Sequence, residues 1–132
     1  MPSPPRPTQR LMRITLPLQS AVILAQAVTA GLLLASVPVG RNLHGTMAGA
    51  VVLAVLLNLL AAVLAWRPGG ASPRLILQST PMLLFTLAQL SLGYAHVREL
   101  HVPVGVLMFG ASIMLLMRSW DDCTPVRGGQ AS

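Results

Sequence analysis

The sequence predicts an all-α integral membrane protein: a four-transmembrane-helix, up-down bundle made of two weakly similar helix pairs. The chain has 132 residues, of which 54% are hydrophobic and only 9% are charged, and its mean hydropathy is +0.70. These values lie outside the range of water-soluble domains. Four stretches of 27, 25, 23 and 18 residues carry no charged side chain, and each can cross a hydrocarbon core of about 30 Å.

The predicted elements follow these stretches in order. Four prolines among the first seven residues predict a disordered tail over residues 1–13. The Pro- and Gly-rich segment around Pro68 and Gly70 predicts a loop in the middle of the chain. The transmembrane domain is predicted over residues 14–118, with helices at about 14–39, 43–66, 75–97 and 100–118, and a second tail over 119–132.

The first apolar stretch is about twice as long as the core of a signal peptide, so an uncleaved first helix is expected.

The arginines predict the orientation of these helices. In a four-pass topology seven arginines lie on one side of the membrane, and only Arg41 and Arg98 lie on the other. Because positively charged flanks stay in the cytoplasm, both termini are predicted to be cytoplasmic.

A short repeated motif marks the opposite side. Arg41 is followed at the third residue by His44, and Arg98 is followed at the third residue by His101, each time with leucine just before the histidine. A Leu-Ala-Gln string, ending at Gln26 and at Gln89, precedes each motif. The repeat predicts two parallel helix pairs related by a pseudo-twofold axis along the membrane normal.

This symmetry places His44 and His101 at equal depth, on helices of one bundle. Two opposed neutral imidazoles are the ligand set of six-coordinate haem iron, and bundle cores are a usual place for such a site. We therefore expect one non-covalent haem b, with the two histidines as axial ligands of the iron. The 3.6-residue period of a helix also predicts an interior stripe on the second helix. After His44 this stripe includes Val51, Val55 and Asn58.

Small and cationic residues beside the histidines fit a macrocycle. Gly45, Gly49 and Gly105 leave space next to the ligands. Arg41 and Arg98 are predicted to bind the propionates, because a guanidinium pairs well with a carboxylate.

Simpler interpretations stay open for every one of these residues. Histidine near a membrane interface is often only solvated, and interface placement alone explains His96. The arginines can contact lipid headgroups, and Gln26 and Gln89 can be interhelical packing. Met47 and Met108 would allow copper, although methionine at helical spacing usually packs.

Other function classes are excluded by composition. A basic stripe with interleaved aromatic residues is missing, so the net charge of +6 does not indicate nucleic-acid binding. Cys123 has no second cysteine to pair with. No acidic residue interrupts any of the four uncharged stretches, which disfavours proton relays and ion-coupled transport.

The segments Leu43-His44-Gly45 and Leu100-His101-Val102-Pro103-Val104-Gly105 resemble a four-helix half of the haem A synthase family. They are also similar to small four-helix bis-histidine membrane proteins. In that family such a pair of histidines binds b-type haem, which implies that His44 and His101 are ligands. The catalytic half of the family has glutamate and arginine where this chain has Arg41 and Gly45, so the resemblance implies cofactor binding rather than haem hydroxylation.

The expected function is that of a small membrane b-type cytochrome for electron transfer or haem handling, with a quinol or a redox protein as partner. Membrane lipids surround it. The alternative is a cofactor-free accessory or scaffold subunit of a larger membrane complex, whose polar stripes only pack helices together.

Overall fold

The protein is all-helical. The computed structural model describes residues 7–67 and 69–121, with side chains for 10–67 and 69–119. The helices are α1 (Pro7–Leu34), α2 (Gly40–Trp66), α3 (Arg74–Tyr94) and α4 (Arg98–Asp121). All four are long and apolar enough to cross a membrane. The prediction of an all-α protein with four such helices is confirmed.

The helices form a bundle in which each packs against two others. Within the part of the chain that the structure describes, α1 contacts α2 and α4, and α3 contacts the same two helices. The pairs α1 and α3, and α2 and α4, make no close backbone contact there. The two helices that carry the predicted histidines, α2 and α4, therefore lie diagonally across the bundle.

The first helix begins earlier than the sequence indicates. Residues 7–13, predicted as part of a disordered tail, form the first two turns of α1. The charged residues mark where the apolar stretch begins, but arginine is a good helix former and proline suits the first position of a helix. Residues 1–6 and 122–132, where the outer parts of the two tails are predicted, lie outside the described residues.

Two helices end earlier than predicted, and they end in the same way. Ser36 after α1 and His96 after α3 have positive φ angles of 58° and 59°. The amide of the next residue, Val37 or Val97, donates to a carbonyl five residues back. This is a Schellman motif, which closes a helix with one left-handed residue. The sequences Ala35-Ser36-Val37 and Ala95-His96-Val97 thus form equivalent caps.

Two apolar clusters fill most of the interior. One cluster consists of Met12, Leu16, Ala61, Ala62 and Ala65, and the other of Ile23, Val51, Val55, Met82 and Met108. Val51 and Val55 belong to the interior stripe that the sequence predicts, whereas Ala61 and Ala65 are not predicted to be interior. Small residues on α2 allow the neighbouring helices to approach closely, as is common in membrane bundles.

The outer surface of the bundle is apolar. Leucines on every helix are half or more exposed, among them Leu24 on α1, Leu53 on α2, Leu84 on α3 and Leu107 on α4. Such a surface is far more apolar than a soluble protein tolerates and is compatible with lipid contact.

Candidate functional site

The two predicted histidines meet inside the bundle. The ring centroids of His44 and His101 are 6.1 Å apart, and the rings lie edge to face at an interplanar angle of 74°. His44 is in the second turn of α2 and His101 is in the first turn of α4. Both side chains are half-buried. The fold thus brings together, from diagonal helices, two residues that are 57 positions apart in the sequence.

The preceding helix holds the ring of His44. Thr29 Oγ1 lies 3.4 Å from His44 Nδ1, and Gln26 Nε2 lies 3.3 Å from His44 Nε2. The Thr29 hydroxyl donates its hydrogen to the backbone carbonyl oxygen of Gln26 over 2.9 Å, which is the shortest of its hydrogen bonds. The hydroxyl oxygen therefore accepts from His44 Nδ1, and His44 Nε2 accepts from the Gln26 amide.

His101 is held in a similar way by the helix that precedes it. Its Nδ1 lies 3.1 Å from the backbone carbonyl oxygen of Gln89. Since a carbonyl only accepts, Nδ1 carries the hydrogen and Nε2 carries the lone pair. Both histidines thus present the same tautomer. A buried partner on Nδ1 and a lone pair on Nε2 is the usual arrangement of a metal-binding histidine.

Two glycines make room for the α3–α4 half of this site. A Cβ atom at Gly105 would lie 2.6 Å from Gln89 Nε2, and one at Gly93 would lie 3.4 Å from His101 Cε1. The space beside Gly105, which the sequence assigns to the macrocycle, is taken by the Gln89 amide. Gly45 and Gly49 are exposed, and a Cβ atom at either would meet nothing within 4 Å.

The two arginines lie at the same end of the bundle as the histidines. Arg41 and Arg98 are in the first turns of α2 and α4, and both are exposed. Each precedes its histidine by three residues, which is just under one turn. Both side chains are in reach of solvent, and their predicted pairing with propionates stays a prediction.

His96 and the methionines make no recorded contact with the histidine pair among the described residues. His96 is exposed in the α3 cap, where its Nδ1 lies 2.8 Å from the Tyr94 carbonyl oxygen. Met108 is buried in the apolar core, and Met47 is half-buried. The described residues include no group of three or more His, Cys, Asp or Glu side chains that could hold a metal ion.

Sequence reasoning missed one residue of the site. Thr29 is 8% exposed and is the Nδ1 partner of His44. The sequence spacing does carry a signal for Thr29. This residue follows Gln26 by three positions and therefore lies on the same face of α1. Threonine is common in membrane helices, so its type alone carries little information.

Comparison of the chain with protein-family models, with curated proteins and with solved structures gives no match.

Proposed function

We propose that the protein is a small integral membrane b-type cytochrome, an up-down bundle that binds one haem b between His44 and His101. The observation that carries this proposal is the facing pair of histidines, with ring centroids 6.1 Å apart. Because an imidazole nitrogen binds a first-row metal at about 2 Å and lies about 1 Å from its ring centroid, two axial imidazoles have centroids about 6 Å apart. The observed separation matches this value, and iron binding would require the edge-to-face rings to turn until both Nε2 atoms point at the iron.

The tautomers of the two rings support the same assignment. Each histidine is held at Nδ1 by the helix that precedes it, so that Nε2 is the nitrogen available to iron. Gln26 now donates to His44 Nε2 over 3.3 Å, a long bond that iron ligation would replace. Arg41 and Arg98 would pair with the propionates, whereas Gly45 and Gly49 lie on the exposed surface and have no part in the site.

Haem b supplies a one-electron ferrous/ferric couple when it is bound. A haem held by both His44 and His101 would favour electron transfer or haem handling over oxygen chemistry. In this chain, His44 and His101 would bind the iron, and Thr29 and the Gln89 carbonyl would orient the rings. A quinol or a redox protein is the partner class that such a site implies.

The proposal includes a location and an orientation. The apolar outer surface suits lipid, and the bundle spans the cell membrane with both termini in the cytoplasm. The arginines support this orientation through their seven-to-two distribution. The histidine pair then lies near the extracytoplasmic face.

Single histidine variants test the ligand assignment. We expect His44→Ala and His101→Ala to lose the haem or its six-coordinate low-spin spectrum, because each removes one iron ligand. His96→Ala is the matched control, since His96 lies in the same chain but outside the pair, and we expect it to keep full haem content. Full haem content with an unchanged spectrum in His44→Ala or His101→Ala would refute the assignment.

One observation favours a second candidate, a cofactor-free accessory subunit of a membrane complex. Gln26 Nε2 binds His44 Nε2, and His101 Nδ1 binds the Gln89 backbone carbonyl oxygen, so both histidines already have partners within the bundle. In that case the histidines only pack helices together. A preparation that stays colourless when haem is supplied would support this candidate over the cytochrome.

A further inference from the structure

A second polar layer lies inside the bundle, apart from the histidine pair. Each of the four helices contributes one polar side chain with less than 2% exposure: Gln19 on α1, Asn58 on α2, Ser79 on α3 and Ser112 on α4. Polar groups in the interior of an apolar bundle are costly unless they are hydrogen-bonded. These four side chains form a polar layer to which every helix of the bundle contributes.

Three of the four side chains have partners. Asn58 accepts a hydrogen bond of 3.0 Å from Thr15 Oγ1 and donates one of 3.4 Å to Ser79 Oγ. Ser112 Oγ donates to the Phe109 carbonyl oxygen over 2.8 Å. These bonds connect α1, α2 and α3 at one level of the bundle.

Gln19 is the exception. Its side chain is completely buried, yet neither Nε2 nor Oε1 has a hydrogen-bond partner among the described residues. The hydroxyl of the adjacent Ser20, 5% exposed, is also without a partner there. Buried polar groups in native proteins are almost always satisfied, either by protein or by internal water.

The helix registers place Gln19 within this polar layer. Gln19 follows Thr15 by four residues and so lies one turn further along the same face of α1. On α4, the contacts of Gly105 with Gln89 and of His101 with Gly93 set the register against α3. Counted from these contacts, Ser112 lies about one turn nearer to the histidines than Ser79 does. It is therefore at the level of Gln19 on the neighbouring helix α1.

Apolar side chains close the layer on both sides. By helix register, Ile23 on α1 and Met108 on α4, which belong to one apolar cluster, lie one turn nearer the histidines than Gln19 and Ser112. The cluster that contains Met12 and Leu16 closes the other end. The layer is therefore a separate site and not an extension of the histidine site.

The chemistry of the Gln19 amide selects the ligand. Its NH₂ group offers two donors and its carbonyl oxygen is an acceptor. A cation cannot satisfy the donors, and an anion cannot satisfy the carbonyl, whereas water both accepts and donates. No acidic side chain lies in the layer to hold a cation. We propose that Gln19 binds internal water, held between α1 and α4 in the middle of the bundle.

The test is nuclear magnetic resonance on the full chain in detergent micelles, labelled with ¹⁵N at glutamine side chains only. Gln19→Asn assigns the Gln19 signal by its loss while keeping a polar side chain at this position. We expect the side-chain amide protons of Gln19 to show a cross-relaxation peak to water. Gln78, exposed on α3, is the comparison for surface hydration, with Gln78→Asn assigning its signal.

The outcomes are distinct. A water peak at Gln19 that persists when micelle-surface water is suppressed by a soluble paramagnetic agent, while the Gln78 signal is broadened, supports an internal water. Cross-peaks from the Gln19 amide to protein protons alone would overturn the proposal. Neither result depends on haem, so the failure of this inference is distinguishable from failure of the proposed function.

Discussion

Replacing Gly40 by alanine should destabilise the connection between α1 and α2. Gly40 is buried at the first position of α2, against the last residues of α1. A Cβ atom there would lie 2.7 Å from the backbone nitrogen of Leu33 and 2.8 Å from the backbone carbonyl carbon of Leu32. Both contacts are with backbone, which cannot rotate away as a side chain can, so the two helices must separate.

The size of this effect follows from the contacts. Overpacking in a tight interior typically costs about 1–3 kcal/mol, and the gain in helix propensity from glycine to alanine offsets less than about 1 kcal/mol of it. We expect a net loss of about 2 kcal/mol, which is roughly a 30-fold change in the folding equilibrium. Because the same connection places Gln26 and Thr29 opposite His44, the variant should also bind haem more weakly.

Reversible unfolding of the purified protein in mixed micelles, followed by circular dichroism, measures the change. Gly49→Ala on the same helix is the matched control, since a Cβ atom there meets nothing within 4 Å. We expect the control to be as stable as the wild type or slightly more so. A Gly40→Ala protein with wild-type stability would contradict the close approach of α1 to α2.

Two further predictions concern the surroundings of the histidines. Thr29→Val removes the acceptor of His44 Nδ1, so we expect haem affinity to fall by about 10–100-fold, as is typical for such partners, and the midpoint potential to rise. Thr29→Ser should keep both near wild type, and potentiometric titration compares the three proteins; equal potentials in all of them would show that Thr29 does not orient the ring. His96→Gly removes the strain of a left-handed non-glycine residue at the α3 cap, but it also loses the hydrogen bond to the Tyr94 carbonyl. We therefore expect the free energy of unfolding to change by no more than about 1 kcal/mol and the haem content to stay unchanged. A loss of haem in that variant would place His96 in the site.

The helices and their interior faces could be predicted because they depend on local pattern. Long uncharged stretches fix the number of helices, and the 3.6-residue period identifies Val51, Val55 and Asn58 as interior residues of α2. The repeated Arg-x-Leu-His string identifies the histidine pair from the sequence alone. Its two copies lie at equivalent ends of α2 and α4, and the fold places their rings in contact.

The helix boundaries could not be predicted as well, for a physical reason. Charges mark the limits of the apolar stretches, whereas a helix ends where its backbone is capped. Ser36 and His96 close α1 and α3 in the left-handed conformation, which neither residue type favours as glycine does. Pro7 and the arginines that follow it let α1 begin before the apolar stretch.

The surroundings of the site depend on tertiary packing, which sequence spacing does not fix. Gly45 and Gly49 are near His44 in the chain, but their helix positions turn them to the exposed surface. Gly105 faces the interior, where the side chain of Gln89 lies over it. The partnership of Thr29 with His44 requires the register of α1 against α2, which the tight turn at Gly40 sets.

The most direct test of the central claim is the absorption spectrum of the purified wild-type protein, oxidised and then reduced with dithionite, with a pyridine haemochrome assay. We predict a sharp α band in the reduced protein and about one haem b per chain, the stoichiometry that a single pair of axial histidines allows. A protein that is colourless in both states, and remains so after haem is supplied, would contradict a haem site between His44 and His101.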